Sequence, residues 1–269
     1  MSNSIELTET IERAALIAWY SAAAKLELPE FDWRLEEVDD ALCSVSATEP
    51  SILMNRVLGL GLHSQPTAGQ LDEIKRIYAD AGIARFFLHV IPQLLRPESQ
   101  RLLGDCGFKR YRGWMKFKRG DANVEPVDTD LEVRRIGPHE AAGFAGIAAP
   151  AFDMTPASQP VIAALANDPD WHLFMSFDDS RPAGTGAIYI KGSLAYTDWA
   201  ATHPDFRRRG SQTAILNARI SDALSAGCTT IVTMTGEAVP GDPQHSYSNI
   251  LKRGFSEAYL RENWIPVDS

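Results

Sequence analysis

An ordered set of marks occurs twice in this chain, and it constrains the fold more than any other feature. Ala81-Gly82 closes a helical pattern, a strand pattern follows, and Gly107-Phe108 comes 25 residues after that first glycine. Ala226-Gly227 closes a second helical pattern, another strand pattern follows, and Gly254-Phe255 comes 27 residues later. Each series ends in a strand that carries a tryptophan, Trp114 in one and Trp264 in the other. A single Gly-Phe pair is uninformative. The whole order (helix, glycine stop, strand, short helix, Gly-Phe, strand, Trp) points to a structural duplication. A chain of 269 residues has room for two domains of roughly 120–145 residues each.

The patterning within each series can be read in more detail. Ile5, Leu7, Ile11, Ala14, Ala15, Ala18, Trp19 and Ala22 recur at helical spacing, with Pro29 ending the region. Strands are expected at 41–47, 54–62, 85–91 and 111–118, and a short helix at 99–103. Thr67 and Gln70 read as a capping box for a helix whose apolar face is Leu71, Ile74, Tyr78 and Ala81, with Gly82 as its stop. Segment 120–130 is polar and acidic, carries Pro126 and is the best linker in the chain. Beyond it, strands are expected at 131–136, 171–178, 183–190, 194–202, 229–235 and 259–265, and helices at 139–148, 160–166, 210–226 and 246–253.

Composition excludes several classes. The net charge of −9 argues against a nucleic-acid surface, which needs a basic stripe to gather phosphates. No apolar run approaches the length of a membrane span, and the polar, glutamate-bearing start lacks the pattern of a signal peptide. Cys43, Cys106 and Cys228 are far apart and odd in number, with no zinc-like spacing, so reduced thiols in a cytoplasmic protein without a metal are expected.

The segment with chemical content is 202–216, THPDFRRRGSQTAIL. A β-branched strand end is followed by a proline, an aromatic, three arginines and a glycine, and an amphipathic helix starts directly after. That order gathers backbone N–H groups and the positive end of a helix dipole in one concavity, a setting for a diphosphate. The glycine would let backbone approach the ligand, and arginine suits phosphate oxygens. A Walker loop and a Rossmann fingerprint are both absent.

This segment resembles the pyrophosphate loop of the GNAT acetyltransferase family, written Q/R-x-x-G-x-G/A. Here it reads Arg207-x-x-Gly210-x-Gln212, preceded by Thr202-x-Pro204-x-Phe206, and Gln212 departs from the small final residue. The resemblance covers about 131–264. It implies an α+β fold of two GNAT-like domains, each a mixed, mostly antiparallel sheet flanked by helices. These would be a degenerate domain at 1–120, a linker at 121–130 and an acetyltransferase domain at 131–269. The N-terminal loop 63–70 lacks arginine, so its cofactor site is expected to be degenerate. The implied co-substrate is acetyl-CoA or another acyl-CoA, contacted by Ala200, Thr202, Arg207, Arg209, Gly210, Ser211, Gln212 and Thr213. The implied partner is a small-molecule or peptide amine.

Direct transfer needs a base for the ammonium, and a donor for the leaving thiolate helps. The family's acid is often a tyrosine four residues before the Gly-Phe glycine, where this chain has Ile250. Tyr247, three residues earlier, is the replacement candidate. Asp198, on the strand that leads to the loop and expected to share a face with Ala200 and Thr202, is the first candidate base. Glu237, just after the next strand, is the second. Ile250 and Gln212 also fit an alternative, a non-catalytic acyl-CoA-binding sensor.

Overall fold

The computed structural model describes residues 2–28, 31–241 and 243–267, so Pro29 lies outside the described residues. The chain opens with helix α1 (Ser2–Ala24), followed by strands β1 (Trp33–Val38), β2 (Ala41–Ser46) and β3 (Arg56–Leu58). Helix α2 (Ala68–Asp80), β4 (Phe87–Val90), α3 (Pro97–Asp105) and β5 (Phe108–Arg119) complete the first series. The second comprises β6 (Glu132–Ile136), α4 (Ala141–Ala151), α5 (Gln159–Ala163), β7 (Trp171–Asp178), β8 (Arg181–Lys191) and β9 (Leu194–Thr202). It ends with α6 (Ser211–Ser225), β10 (Thr230–Gly236), α7 (His245–Lys252) and β11 (Ser256–Pro266).

The eleven strands of the described residues form one sheet, in the order β1-β2-β3-β4-β11-β5-β10-β9-β8-β7-β6. Replacing each strand from β1 to β5 by the one six numbers later, and the reverse, leaves this order unchanged except for β6 at the edge. The pairing types obey the same exchange: β3–β4 and β9–β10 are parallel and the other pairs antiparallel. The two series therefore repeat one topology, and each places its last strand against the other. β5 pairs with β10, and β11 pairs with β4. The recurring glycines carry out this repeat. Gly82 and Gly227 follow α2 and α6 at φ 71° and 84°, and Gly107 and Gly254 turn the chain from α3 and α7 into β5 and β11 at φ 81° and 80°.

Three expectations change. β1 is an edge strand whose Arg34, Glu36 and Glu37 hide its β character in a sequence reading. The strand expected at 54–62 is only Arg56–Leu58, because Gly59 and Gly61 leave it at positive φ. Thr67 caps α2 by accepting from the Gln70 N–H, but the Gln70 amide turns to Val38 O and Asp40 instead of closing a capping box.

One face of the sheet is covered by α1 and α4, whose Leu16, Trp19, Phe144 and Ala148 share a core with Leu42, Tyr196 and Val232 from both series. On the other face, α2 and α3 pack on the first series and α6 and α7 on the second. Under α1, at the centre of the sheet, lies a buried ionic cluster. Arg261 of β11 pairs with Glu12 at 2.6 Å and Glu9 at 3.1 Å, and Lys116 of β5 donates to Glu12. The Tyr259 hydroxyl donates to Glu9 at 2.5 Å. Burial alone would raise the Glu12 carboxyl, but Arg261, Lys116 and Arg56 hold it well below the usual carboxylate range. The three cysteines are unpaired. Among the described residues no helix is long and apolar enough to cross a membrane, and no group of His, Cys, Asp and Glu is placed to hold a metal ion.

Candidate active site

The parallel pair β9–β10 holds register only from Leu194–Thr230 to Tyr196–Val232, and beyond it the strands part. On the far side, β9 breaks register with β8 between Ala201 opposite Thr185 and Asp198 opposite Ala187. Trp199 carries this bulge with φ 56°, a conformation that a bulky side chain adopts only when its surroundings impose it. The constraint is visible. The Thr185 hydroxyl donates to Trp199 O at 3.0 Å, and the Arg219 guanidinium donates to Asp198 O at 3.0 Å and Ala187 O at 3.1 Å. Arg219 reaches this position because β8 has Gly186 below it; a Cβ there would lie 2.9 Å from the Arg219 Cζ. Burial lowers the Arg219 guanidinium to about 10, so it stays cationic at neutral pH.

Where the strands part, two cavities meet. The first is a groove of about 820 Å³ running along 200–202, 206–208 and 210–213 to α7. Arg207, Arg208 and Lys252 line it, with no Asp or Glu among its described lining residues. The second is a chamber of about 320 Å³ that reaches into the molecule. Its walls include Trp19, Arg56 and Trp114 of the first series together with Asp198, Trp199 and Met234 of the second. Ala200, Gln212, Ser246 and Asn249 line both cavities and mark their junction.

The groove has features an acyl-CoA diphosphate requires. Gly210 is the N-cap of α6, and no side chain caps the helix. The first intrahelical bond to Gly210 O comes from Ala214 N–H, which leaves the preceding N–H groups for a ligand. Gly210 itself works differently from the expectation. At φ 83° it supplies a left-handed turn, and an added Cβ would sit 3.3 Å from Asp128 O and Thr129 in the linker, not in the groove. Ala200, Thr202, Arg207, Gly210, Ser211, Gln212 and Thr213 line the groove. Arg209 does not. Its guanidinium is spent on Asp130 at 2.5 Å and Asp178 at 2.7 Å, which pins the loop to the linker and to the end of β7. Arg208, at φ 64°, is the neighbour the loop turns to the groove, and nothing in residue type separates the two in sequence. Gln212 spans to α7, donating to Ser246 Oγ and accepting from the Asn249 amide, both at 3.0 Å.

The catalytic candidates separate sharply. Asp198 faces the chamber, half-buried, and accepts from the Trp199 N–H at 2.8 Å and the Tyr196 hydroxyl at 3.0 Å. Burial raises its carboxyl above the usual range, against the pull of Arg56 and the Trp199 N–H. Tyr247 points elsewhere: its hydroxyl donates to Glu257 of β11 and its ring stands edge-on to Phe117 at 4.8 Å. Burial and Glu257 push that phenol up to about 12. The α7 residues that line the chamber are Ser246, Asn249 and Ile250, and Ser246 stands one turn from Ile250 at four-residue spacing, whereas Tyr247 does not line either cavity. Glu237 is also engaged away from the chamber. It takes Arg110 at 2.9 Å and the Gly113 N–H at 2.9 Å. Burial would raise its carboxyl, but these partners hold it below the usual range.

In the first series the equivalent loop holds an internal anion. Asp40 Oδ2 accepts from His63 N–H at 3.2 Å and from Ser64 N–H at 3.3 Å, and Asp40 Oδ1 takes the Gln70 amide at 3.2 Å. A side-chain carboxylate thus occupies the loop ahead of α2.

No curated protein matches the chain in sequence. The structure is similar to a GCN5-related N-acetyltransferase from Kribbella flavida at 15% identity, covering 94% of this chain and 95% of that one with a TM-score of 0.62. It is similar to a GCN5-related N-acetyltransferase from Sphaerobacter thermophilus at 12% identity, covering 86% and 81% with a TM-score of 0.63. A tandem GNAT protein from the clavulanic acid biosynthesis pathway aligns at 14% identity over 78% of this chain and 73% of that one, with a TM-score of 0.57. At these identities the likeness is one of fold. Residues 144–245, which hold the bulge, the loop and α6, match the acetyltransferase (GNAT) family in sequence. That matched segment lies wholly in the second series, and the chain as a whole has the fold of these GNAT structures.

Proposed function

We propose that the protein is an acyl-CoA-dependent N-acyltransferase that uses acetyl-CoA and a small amine. The observation that carries this reading is the meeting of a basic, carboxylate-free groove with a carboxylate-bearing chamber at the β9 bulge. The N–H groups that open α6 would hold the diphosphate, with Arg207 and Arg208 adding charge. The activated acyl thioester is what the co-substrate supplies.

The protein's own residues do the rest. Asp198 takes a proton from the acceptor ammonium onto its carboxylate, and its raised affinity for protons suits that task near neutral pH. The main-chain N–H of Ala200, just past the bulge, polarises the thioester carbonyl, while the Trp199 N–H holds Asp198. Ser246 Oγ accepts from Gln212, which leaves its own O–H free to be donated at the junction toward the departing sulfur. A chamber of about 320 Å³, near the lower end of the roughly 300–1,000 Å³ of ligand sites, favours a small acceptor over a peptide.

The test is release of free thiol from acetyl-CoA across a panel of amines, read beside calorimetric binding of CoA. Acceptor-dependent release supports the enzyme. Binding without release from any amine would instead make the protein an acyl-CoA sensor.

A further inference from the structure

The chamber carries an imbalance of charge that a simple amine would leave uncorrected. Of its described lining residues Asp198 is the one carboxylate, whereas Arg56 and Arg219 are both cations. Arg219 spends its N–H groups on the carbonyls of Ile215, Ala187 and Asp198. Arg56 is less committed. It is 5% exposed, and its one ion pair among the described residues is a 3.4 Å contact with Glu12. Its Nε is buried without a partner. Glu12 is itself shared with Arg261 and Lys116, so three cations face the two carboxylates Glu9 and Glu12 in the cluster behind the chamber.

We propose that the acceptor is an amino acid with an apolar side chain, its carboxylate held by Arg56 and its amine presented to Asp198. The inference rests on the acyltransferase reading and names its acceptor. Asp198 neutralises part of the Arg56 charge while it is ionised. Once it takes the proton of the acceptor ammonium, Arg56 is left facing no chamber anion, and a carboxylate on the acceptor fills that role throughout. The balance is simple: one ammonium proton goes to Asp198, the freed nitrogen bonds the acyl carbon, the C–S bond breaks, and the second proton lost by that nitrogen ends on the thiolate. Trp19, Trp114, Phe152, Trp199 and Met234 give the wall a broad apolar stretch beside Thr197, Thr233 and Thr235, and that stretch suits an apolar side chain. Arg56 comes from the first series, so the half of the molecule without an open phosphate loop would set acceptor specificity.

The experiment compares phenylalanine with phenethylamine and leucine with isopentylamine, pairs that differ in the carboxylate alone. Steady-state thiol release from acetyl-CoA is measured beside quenching of the chamber tryptophans by each acceptor. The amino acids should show kcat/KM roughly ten- to a hundredfold above the amines, the range for one charge-assisted contact. Arg56→Gln should remove that preference by raising the amino-acid KM, and Arg56→Lys should keep part of it. Acetyl-CoA affinity should stay at the parent value in both. Amines acting as well as amino acids in the parent overturn the proposal whether or not the variants fold, and so does an Arg56→Gln that slows both classes equally. Saturable, Arg56-dependent quenching by amino acids with no thiol release would sink the acyltransferase reading and keep the Arg56 site. Release from the amines alone would do the opposite.

Discussion

At the scale of single residues the account turns on Asp198. A carboxyl raised by burial should give a rate that climbs with pH through a value above the ordinary carboxylate range. Asp198→Asn should remove that limb and lower kcat by about a hundred- to ten-thousandfold, with acetyl-CoA affinity kept. Stability carries the opposite sign. Between the unfolded and the raised folded pKa the native state binds more protons, so Asp198 costs stability as pH rises through that window. Thermal melts should therefore show Asp198→Asn no less stable than the parent at neutral pH, and a large drop in Tm would contradict the assignment. The neighbouring arginines make a second contrast. Arg208→Ala should weaken acetyl-CoA about tenfold by calorimetry and leave the unliganded Tm alone. Arg209→Ala should lower the unliganded Tm, because it releases Asp130 and Asp178 together.

At the scale of elements, the loop ahead of α2 holds a carboxylate where the loop ahead of α6 has an open groove. Asp40→Asn should weaken the acceptor for His63 and Ser64 N–H and destabilise the fold by about 1 kcal/mol in chemical denaturation, without creating acetyl-CoA binding. Asp40 was invisible to sequence reading because it belongs to the β1–β2 turn, and only the tertiary fold sets it opposite residues 63–64. Most elements were legible. Apolar periodicity located α1, α2, α6 and β7 to β11 to within a few residues, and the loop ahead of α6 was readable because its chemistry is local in sequence. What failed did so for physical reasons. Edge strand β1 is too charged to register, and the β9 bulge turns on a positive φ at Trp199 that no residue type announces. The roles of Tyr247 and Glu237 depended on partners, Glu257 and Arg110, that sequence could not supply. Ser246 was within reach, since it stands one turn from Ile250 at four-residue spacing.

At the scale of the molecule, the exchange of β5 and β11 makes the sheet one object. We propose that 1–120 and 131–269 are repeats that fold only together, joined by 121–130. Expressed separately, each should lack cooperative unfolding, and mixing the two should restore it. The seam is the buried cluster, where Glu12→Gln should cost about 3–5 kcal/mol, since it leaves Arg261, Lys116 and Arg56 short of an anion. Because the Glu12 carboxyl is held down, its contribution is present above the unfolded pKa and is lost as pH falls through the lower folded one. Under the proposed function the seam also shapes the site, because Trp19, Arg56 and Trp114 line the chamber from the first series while the groove is lined by the second. Hydrogen exchange of the whole chain with and without acetyl-CoA tests this division of labour most directly. The account predicts slowed exchange at 199–214 and 245–249 with no change at 59–70; protection at 59–70, or none at 199–214, would contradict it.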